Sequence, residues 1–600
     1  MRVHQPGSSL TRARGAEVDD WSWARTRRRL TALYRLARPY KARTGLAILS
    51  LLGATAVALA PPYLVGRTVD EVKRGDTQLL GWFVVAFVAA GALGIVFTYA
   101  QTYFTGWTGE RMLADLRHIL FRHLQRLSLG FYERNRAGVI ISRLTNDVEA
   151  LDQLVTDGVT SLVQNTLTLV GTAVILFFLD WRLALATLVV MPAMGVATAV
   201  FRKRSGRAYR RTREALGMVT ATLAEDIAGM RVLQAFTRER AARENFREVS
   251  DHYRAANMST VFLSGVYFPA VDFLSSVATA VVLGYGGWLA FNGDVSVGIV
   301  VAFLGYVANF FDPVQQLSQL YNTFLSAVAA LDKIIDLLDD EPEVLDAPNA
   351  IDLDDVAGHV AFEGVRFAYG RGPEVLHGLD LEVPAGTTVA LVGHTGAGKS
   401  TIAKLLARFY DPTEGLITID GADLRTVSQE SLRRSLGIVP QEGFLFAGTV
   451  ADNIAFGRPG AGRDEVVAAA EAVGAAEFVG RLEHGYDTEL GERGSRLSLG
   501  QRQLVAFARA LLADPRILIL DEATSSVDIG TERRIERALR RLLHGRTAFI
   551  IAHRLSTIRD ADLIVVLEHG QVVEQGTHEE LIEHGELYTS LYGDWVSTAA

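Results

Sequence analysis

The 600-residue chain contains no cysteine, and this absence excludes several kinds of protein at once. Without thiols the chain can form no disulfide framework, use no thiolate nucleophile and ligate no metal or iron–sulfur cluster through cysteine. Charge is also sparse: 21% of the residues are charged, 49% are hydrophobic and the mean hydropathy is +0.19. The chain is therefore too apolar for an ordinary soluble enzyme, and a disordered or fibrous chain is excluded.

The net charge of −8 conceals two halves of opposite sign. Up to residue 335 the chain has 36 Lys and Arg against 25 Asp and Glu, which gives a net charge of +11. The remainder has 24 against 43, a net charge of −19. Arginine outnumbers lysine 54 to 6, which is typical of a GC-rich bacterial genome. The composition predicts a basic, apolar half joined to an acidic, more soluble half.

Six long apolar stretches in the basic half predict six membrane-spanning helices. Each stretch is near or above the ~20 residues that cross a ~30 Å hydrocarbon core as a helix. One such stretch could be a buried helix of a soluble protein, but six in succession indicate a membrane domain. They are residues 45–66, 79–103, 158–179, 181–201, 259–290 and 296–322.

The distribution of arginine predicts how these helices are oriented. The N-terminal segment and the connections at 104–156 and 202–258 carry 11, 7 and 13 Lys and Arg, whereas the other connections are short. The positive-inside rule places these segments and both chain ends in the cytosol. We expect no secretory signal, because no apolar core follows the first residues. Residues 23–40 predict a basic amphipathic helix on the cytosolic leaflet, with a solvated linker as the alternative.

The two long connections have helical apolar spacing with few breakers. We expect them to continue the membrane helices into the cytosol and to turn at residues 131–143 and 221–236. The predicted organisation is a disordered tail at 1–22, a membrane domain at 23–335, a linker at 336–358 and an α/β nucleotide-binding domain at 359–600.

A phosphate-binding loop follows the predicted strand 388–392 and precedes a predicted helix at 401–409. The pattern is G-x-x-x-x-G-K-S, in which glycines let backbone N–H groups turn towards phosphate oxygens. Lys399 is expected to reach the β- and γ-phosphates of ATP, Ser400 to ligate Mg²⁺, and the helix N-terminus to add its positive end. The predicted nucleotide-binding residues here are Gly393, His394, Thr395, Gly396, Ala397, Gly398, Lys399, Ser400 and Thr401.

A second apolar strand, at residues 517–520, ends in Asp521 and Glu522. A carboxylate at the end of a buried strand beside a phosphate loop is placed to hold Mg²⁺, which makes Asp521 a candidate metal ligand. The adjacent Glu522 is placed to polarise the attacking water. An acidic turn after a core strand is the alternative, but the phosphate loop argues against it.

The chain resembles the half-transporters of the ATP-binding-cassette (ABC) exporters, in which six membrane helices precede one nucleotide-binding domain. The resemblance covers about residues 23–595 and rests on motifs in the order of the family. They are Tyr369, the loop 393–400, Gln441 after an apolar strand, the stretch 488–494, the signature Leu497-Ser-Leu-Gly-Gln501, Asp521-Glu522, Ser525-Ser-Val-Asp528 and His553.

The resemblance implies a role for each of these residues. Tyr369 would stack on adenine, Gln441 would complete the Mg²⁺ and water environment, and His553 would hold the γ-phosphate and the attacking water. Ser498 and Gly500 would cap the γ-phosphate of a nucleotide held by a different chain, and Gln501 belongs to the same nucleotide-binding signature. Residues 489–494 would contact the cytosolic helix tips of the partner.

One position departs from the family pattern, because Leu499 stands where the family most often has glycine. Intact hydrolytic residues beside an altered signature favour a heterodimer with a related subunit, and a homodimer that tolerates leucine is the alternative. An ATP-gated channel or a regulatory membrane ATPase is a further alternative to export. The six spans exclude a soluble cassette protein that acts on nucleic acid.

The transported solute is not encoded in any motif. The resemblance implies a small amphiphilic solute (drug, lipid or peptide) and a mostly apolar cavity with few polar groups. An ionisable side chain inside a membrane generally faces a wet interior or a partner, so such groups could contact the solute or join helices. The candidates are Gln164, Asp272, Asn309 and Asp312.

Overall fold

The structure, a computed structural model, describes residues 23–441, 443–521, 529–552 and 554–599, so the predicted tail at 1–22 lies outside it. The chain forms two units. The first contains the described residues up to Gln125 together with Ala137–Asp340. The second contains Arg126–Arg136 and the described residues from Glu341 onwards. A short segment of the basic half therefore belongs to the unit built by the acidic half.

The first unit is entirely helical in its described residues. Short π-helical turns at Arg143–Asp147, Gln153–Gly158 and Val282–Gly286 join consecutive α-helices into longer rods. The α-helices are Trp23–Ala37, Lys41–Ala58, Ala60–Arg74, Thr77–Arg126 (whose last residue belongs to the second unit), Ala137–Ser142, Val148–Asp152, Val159–Leu179, Trp181–Leu188, Met191–Ala228, Met230–Ala235, Glu239–Val281, Gly287–Phe291 and Val297–Asp339.

The six predicted spans are confirmed. Six helical rods of the described residues are long and apolar enough to cross a membrane, and the predicted stretches fall on them one by one. The long connections are helical, as expected, because Thr77–Arg126 and Met191–Ala228 run far past their apolar cores. The predicted second turn, at residues 221–236, contains the break at Gly229 that ends Met191–Ala228 and the short helix Met230–Ala235 that follows it.

Small residues allow the first and last spans to approach closely. A Cβ atom added at Gly66 would lie 2.4 Å from the carbonyl oxygen of Gly298, and one added at Gly298 would lie 2.0 Å from that of Gly66. Beside this crossing, Asp70 accepts hydrogen bonds from the Ser296 hydroxyl at 2.6 Å and from the Gly298 N–H at 2.8 Å. The N–H groups at the start of a helix need acceptors from outside it, and the Asp70 carboxylate supplies one to the helix Val297–Asp339. The same carboxylate thereby links the two crossing helices.

We expect Gly298→Ala to destabilise the first unit, because the added methyl group would meet backbone atoms that cannot move aside. Overpacking of this kind costs about 1–3 kcal/mol. Gly265→Ala is the matched control, since no atom lies within 4 Å of a Cβ at that helical position. Thermal unfolding of the purified protein in detergent should show a lower midpoint for Gly298→Ala alone. Equal midpoints for the two variants would contradict the close approach.

The second unit is an α/β domain with two sheets. The strands are β1 (Val360–Ala368), β2 (Glu374–Val383), β3 (Thr388–Val392), β4 (Glu414–Ile419), β5 (Ala422–Asp423), β6 (Leu436–Val439), β7 (Ile517–Asp521), β8 (Thr547–Ile551), β9 (Leu563–Glu568) and β10 (Gln571–Gly576). Strands β2, β1, β4 and β5 form an antiparallel sheet in that order. The other sheet has the order β10-β9-β3-β8-β7-β6, with β10 antiparallel and the remaining neighbours parallel.

Both faces of the central strands are covered, one by helices and the other by the antiparallel sheet and the helix Lys399–Leu406, which explains why these strands are apolar without alternation. The run Val389–Val392 of β3 is fully buried, as parallel strands with both faces covered usually are. Residues facing one side join one core cluster and residues facing the other side join a second. The α-helices of this unit are Leu129–Arg134, Lys399–Leu406, Gln429–Ser435, Val450–Ala455, Arg463–Ala472, Ala476–Val479, Leu499–Ala513, Ile529–Leu543, Leu555–Arg559, His578–His584 and Leu587–Ala599.

Candidate nucleotide-binding site

The predicted phosphate loop connects β3 to the helix Lys399–Leu406. It leaves the sheet at the carboxyl end of a central strand, where open α/β sheets place their ligands. The helix begins two residues earlier than the sequence predicts, so Lys399 itself is its first residue. In its first turn the N–H groups of Thr401 and Ile402 donate to the Gly398 carbonyl oxygen, and the positive end of the helix dipole suits an anion.

Two glycines of the loop are required by its backbone path. Gly393 has φ of +146°, and a Cβ there would lie 2.2 Å from the carbonyl oxygen of Leu567. Gly398 has φ of +105°, and a Cβ there would lie 2.7 Å from the Leu376 side chain. Only glycine combines these left-handed conformations with such close contacts. Ala397 is buried, whereas His394 and Thr395 are exposed on the outside of the loop.

Lys399 braces the loop from within. Its ammonium group donates hydrogen bonds to the carbonyl oxygens of Gly393 at 2.6 Å and His394 at 2.9 Å. Burial lowers the pKa of Lys399, and the nearby charge of Asp521 raises it in opposition. The lysine therefore brings a positive charge to the centre of the loop, within the field of the carboxylate that ends β7.

The predicted Mg²⁺ ligands are oxygen donors of the kind that this ion prefers. Asp521 ends β7 and Ser400 follows the braced lysine, while Gln441 comes two residues after β6. Among the described residues no cluster of three or more His, Asp or Glu could hold a metal alone. One carboxylate and one hydroxyl nevertheless fit Mg²⁺, because this ion usually takes its remaining ligands from water and substrate phosphates.

Tyr369 is fixed beside the helix that follows the loop. Its hydroxyl group hydrogen-bonds the hydroxyl of Thr401 at 3.0 Å. The ring contacts Phe367 edge-on at 4.8 Å between centroids and Tyr410 edge-on at 5.2 Å. The side chain is half-buried, so an aromatic ring lies on the same structural platform as the phosphate loop, as base stacking requires.

The signature residues form the start of a helix. Ser498 caps Leu499–Ala513, since its hydroxyl accepts from the Gln501 N–H at 3.3 Å and its own N–H donates to the Gln501 amide oxygen at 2.9 Å. Gly500 is buried and Leu499 is half-buried as the first helical residue. Gln501 is thus occupied by the cap, and Ser498 is exposed at an anion-attracting helix N-terminus.

A residue that sequence reasoning missed connects the signature helix to the segment after Gln441. Arg509 donates to the carbonyl oxygens of Phe444 at 3.1 Å and Asn453 at 2.9 Å, and to the Asn453 side chain at 3.0 Å. Burial lowers the pKa of Arg509. An arginine inside an otherwise apolar helical run was the available signal, because a buried guanidinium must find acceptors.

Glu522 and His553 lie outside the described residues, and so does the stretch Ser525–Asp528. β7 ends at Asp521 and β8 ends at Ile551, and the two strands are parallel neighbours. The carboxyl ends of these two strands therefore meet at one sheet edge.

The fold and the site define a class: a membrane protein with six apolar helical rods whose second unit is a phosphate-loop ATPase. Two family matches agree with this division. Residues 44–314 match the ABC transporter transmembrane region and residues 376–525 match the ABC transporter family. The chain belongs to the ABC exporters, and its activity is ATP hydrolysis coupled to transport.

Similar proteins span nearly the whole chain. The ABC transporter ATP-binding protein YknV of Bacillus subtilis (strain 168) is 41% identical over 96% of both chains. The ATP-dependent lipid A-core flippase of Syntrophus aciditrophicus (strain SB) is 37% identical over 93% of both. The structure of a bacterial Atm1-family ABC exporter with ATP bound matches with a TM-score of 0.77 at 35% identity, covering 93% of this chain and 98% of that one.

We expect Lys399→Ala to weaken ATP binding at least about tenfold, because a charge-assisted contact to phosphate is lost together with the internal brace. Lys399→Arg should also bind ATP poorly, since a planar guanidinium cannot replace a compact ammonium between two carbonyl oxygens. Displacement of a fluorescent ATP analogue from the purified protein measures both effects. ATP affinity unchanged in Lys399→Ala would contradict this assignment, and an unchanged thermal midpoint controls for folding.

Proposed function

We propose that the chain is an ATP-driven exporter subunit that moves a small amphiphilic solute across the bacterial cytoplasmic membrane by alternating access. The observation that carries this proposal is the fusion, in one chain, of six apolar rods with a phosphate-loop unit. The similarity to a lipid A-core flippase along nearly the full length supports an amphiphilic solute. The basic connections support a cytosolic location for both chain ends and for the ATP-binding unit.

In the proposed site each residue has a role that its side-chain chemistry favours. Tyr369 stacks on adenine, the loop 393–400 cradles the phosphates, and Ser400, Asp521 and Gln441 supply oxygen ligands to Mg²⁺. Glu522 polarises the attacking water and His553 orients it against the γ-phosphate. Positioning and charge stabilisation carry phosphoryl transfer, and Mg²⁺ supplies neutralisation of the charge that develops on the phosphate oxygens.

ABC half-transporters work as dimers, and exposed apolar surface on each unit supports a contact with a second subunit. In the first unit Val232 and Phe236 are 61% and 72% exposed beyond the long helix. In the second unit Phe446 stacks on Phe456 and meets Phe444 edge-on, and all three rings are about half-exposed. Such patches outside a membrane mark protein contacts, and the proposal pairs the helix tip of one subunit with the rings of another.

Four polar groups in the membrane rods are the proposed solute contacts. Asp272 accepts a hydrogen bond from the Gln315 amide at 2.8 Å, and the amide of Gln101 approaches that of Gln164 at 3.4 Å. Asn309 is half-buried and Asp312 is exposed, the latter directly before Pro313 inside its helix. A flux screen in inverted membrane vesicles, with ATP and with candidate solutes of either charge, tests export. ATP-dependent conductance without vectorial solute movement would favour a channel instead.

If Glu522 polarises the water, Glu522→Gln should leave ATP binding nearly intact and lower turnover by about 10² or more, because general base assistance is removed. The variant should also accumulate a closed dimer with trapped nucleotide. Asp514→Asn is a matched control, since this carboxylate is exposed and pairs with Arg546 at 2.6 Å, outside the proposed site. Wild-type turnover in Glu522→Gln would refute the assignment.

We further propose that the working assembly is a heterodimer with one weakened ATP site. Each chain supplies the phosphate loop and Asp521–Glu522 to one nucleotide and the signature to the other, so Leu499 weakens the site whose loop belongs to the partner. The purified chain alone should hydrolyse ATP slowly and recover with a co-expressed related subunit. Rapid, transport-coupled hydrolysis by the single species would establish the homodimer.

A further inference from the structure

The segment Arg126–Arg136 is attached to the second unit at several separate points. Ser128 accepts a hydrogen bond from the Val344 N–H at 3.0 Å, and Arg134 forms an ion pair with Glu343 at 2.5 Å. Phe131 is buried, and a Cβ at Gly130 would lie 2.9 Å from the Tyr410 ring. The short helix Leu129–Arg134 is thus built into the fold that holds the nucleotide-binding residues.

The carboxylate of Glu133, on this helix, is bound by two other residues of the second unit. Lys404 pairs with one carboxylate oxygen at 2.8 Å, and the Tyr410 hydroxyl donates to the other at 2.7 Å. Burial alone would raise the pKa of Glu133, but the hydrogen bonds from Lys404 and Tyr410 outweigh it and lower the pKa. Burial and the same carboxylate raise the pKa of Tyr410. Glu133 is therefore an anion with two donors at neutral pH.

Both donors also touch the ring that is proposed to stack on adenine. The Lys404 ammonium lies 5.3 Å from the centroid of the Tyr369 ring, within cation–π range, and Tyr410 meets that ring edge-on at 89°. Tyr410 is 7% exposed, and its hydroxyl group donates to Glu133. The Tyr369 ring is consequently held by Phe367, Tyr410 and Lys404, and the last two are oriented by Glu133.

We propose that Glu133 is a positioning residue for Tyr369, through which the helix Leu129–Arg134 sets the ATP affinity of its own chain. The inference rests on the proposed adenine-stacking role of Tyr369. Glu133 acts on Tyr369 indirectly. It keeps the Lys404 ammonium beside the Tyr369 ring and keeps the Tyr410 ring at right angles to the Tyr369 ring. A displaced helix would release both groups and leave Tyr369 free to leave the stacking position.

The test uses the full chain in the assembly that hydrolyses ATP. Glu133→Gln keeps an acceptor for Tyr410 but removes the ion pair, and Lys404→Met removes the same pair from the other side. Each should raise KM for ATP about three- to fivefold, the size expected for a half-exposed cation–π and ion-pair contact, with kcat changed less than about twofold. The double variant should match Lys404→Met, since Glu133→Gln acts on the ring through the Lys404 ammonium that Lys404→Met already removes.

Arg134→Gln is the matched control. Arg134 lies on the same helix, and its replacement breaks the ion pair with Glu343 but leaves the contacts of Glu133 with Tyr410 and Lys404 intact. It should leave KM for ATP unchanged. A larger KM effect in Arg134→Gln than in Glu133→Gln would show that general loosening of the helix, rather than Glu133, is responsible.

Tyr369→Ala separates this inference from the proposed function. If Tyr369→Ala does not raise KM for ATP, its stacking role fails and the inference falls with it. If Tyr369→Ala raises KM but Glu133→Gln does not, the inference alone is overturned. In the Tyr369→Ala background, Glu133→Gln should add nothing. A further rise there would show that Glu133 acts on nucleotide affinity by a route that does not involve the ring.

Discussion

Hydrocarbon cannot hydrogen-bond the backbone, so each apolar stretch must cross the membrane with its N–H and C=O groups paired within a helix. In this chain, helices continue well past the length needed to cross the hydrocarbon core. Thr77–Arg126 has 50 residues, about 75 Å at 1.5 Å per residue, against a hydrocarbon core of ~30 Å. The segment Arg126–Arg136, in which this helix ends, belongs to the second unit.

The two-turn helix Lys399–Leu406 of that unit makes contacts both with the phosphate loop and with Glu133. Lys399 at its first residue braces the phosphate loop, and Thr401 fixes the hydroxyl of Tyr369. Lys404, one turn further, pairs with Glu133. The phosphate loop, the Tyr369 side chain and Glu133 therefore all contact the same short helix. In the proposed site, a displacement of Glu133 would act on the helix whose first residue braces the phosphate loop.

The local patterns of the sequence carry most of the fold. Apolar length predicts the six spans, and short apolar runs predict the strands β3 and β7. The loop 393–400 is predicted because strand, glycines and helix are contiguous. Contacts between distant residues have no such local signal. The bond from Tyr410 to Glu133 spans 277 residues, and the Gly66–Gly298 crossing joins glycines that are individually unremarkable within their helices.

Leucine in place of glycine at position 499 changes the surface at the start of the signature helix and does not disturb the folding of that helix. The cap that starts the signature helix is made by Ser498 and Gln501, and the side chain of Leu499 takes no part in it. Leucine is a better helix former than glycine, so the helix gains rather than loses from the change. Its bulk is half-exposed beside the exposed Ser498. The effect of leucine therefore falls on whatever approaches that helix end from outside the chain, which in the proposed assembly is the nucleotide held by the partner.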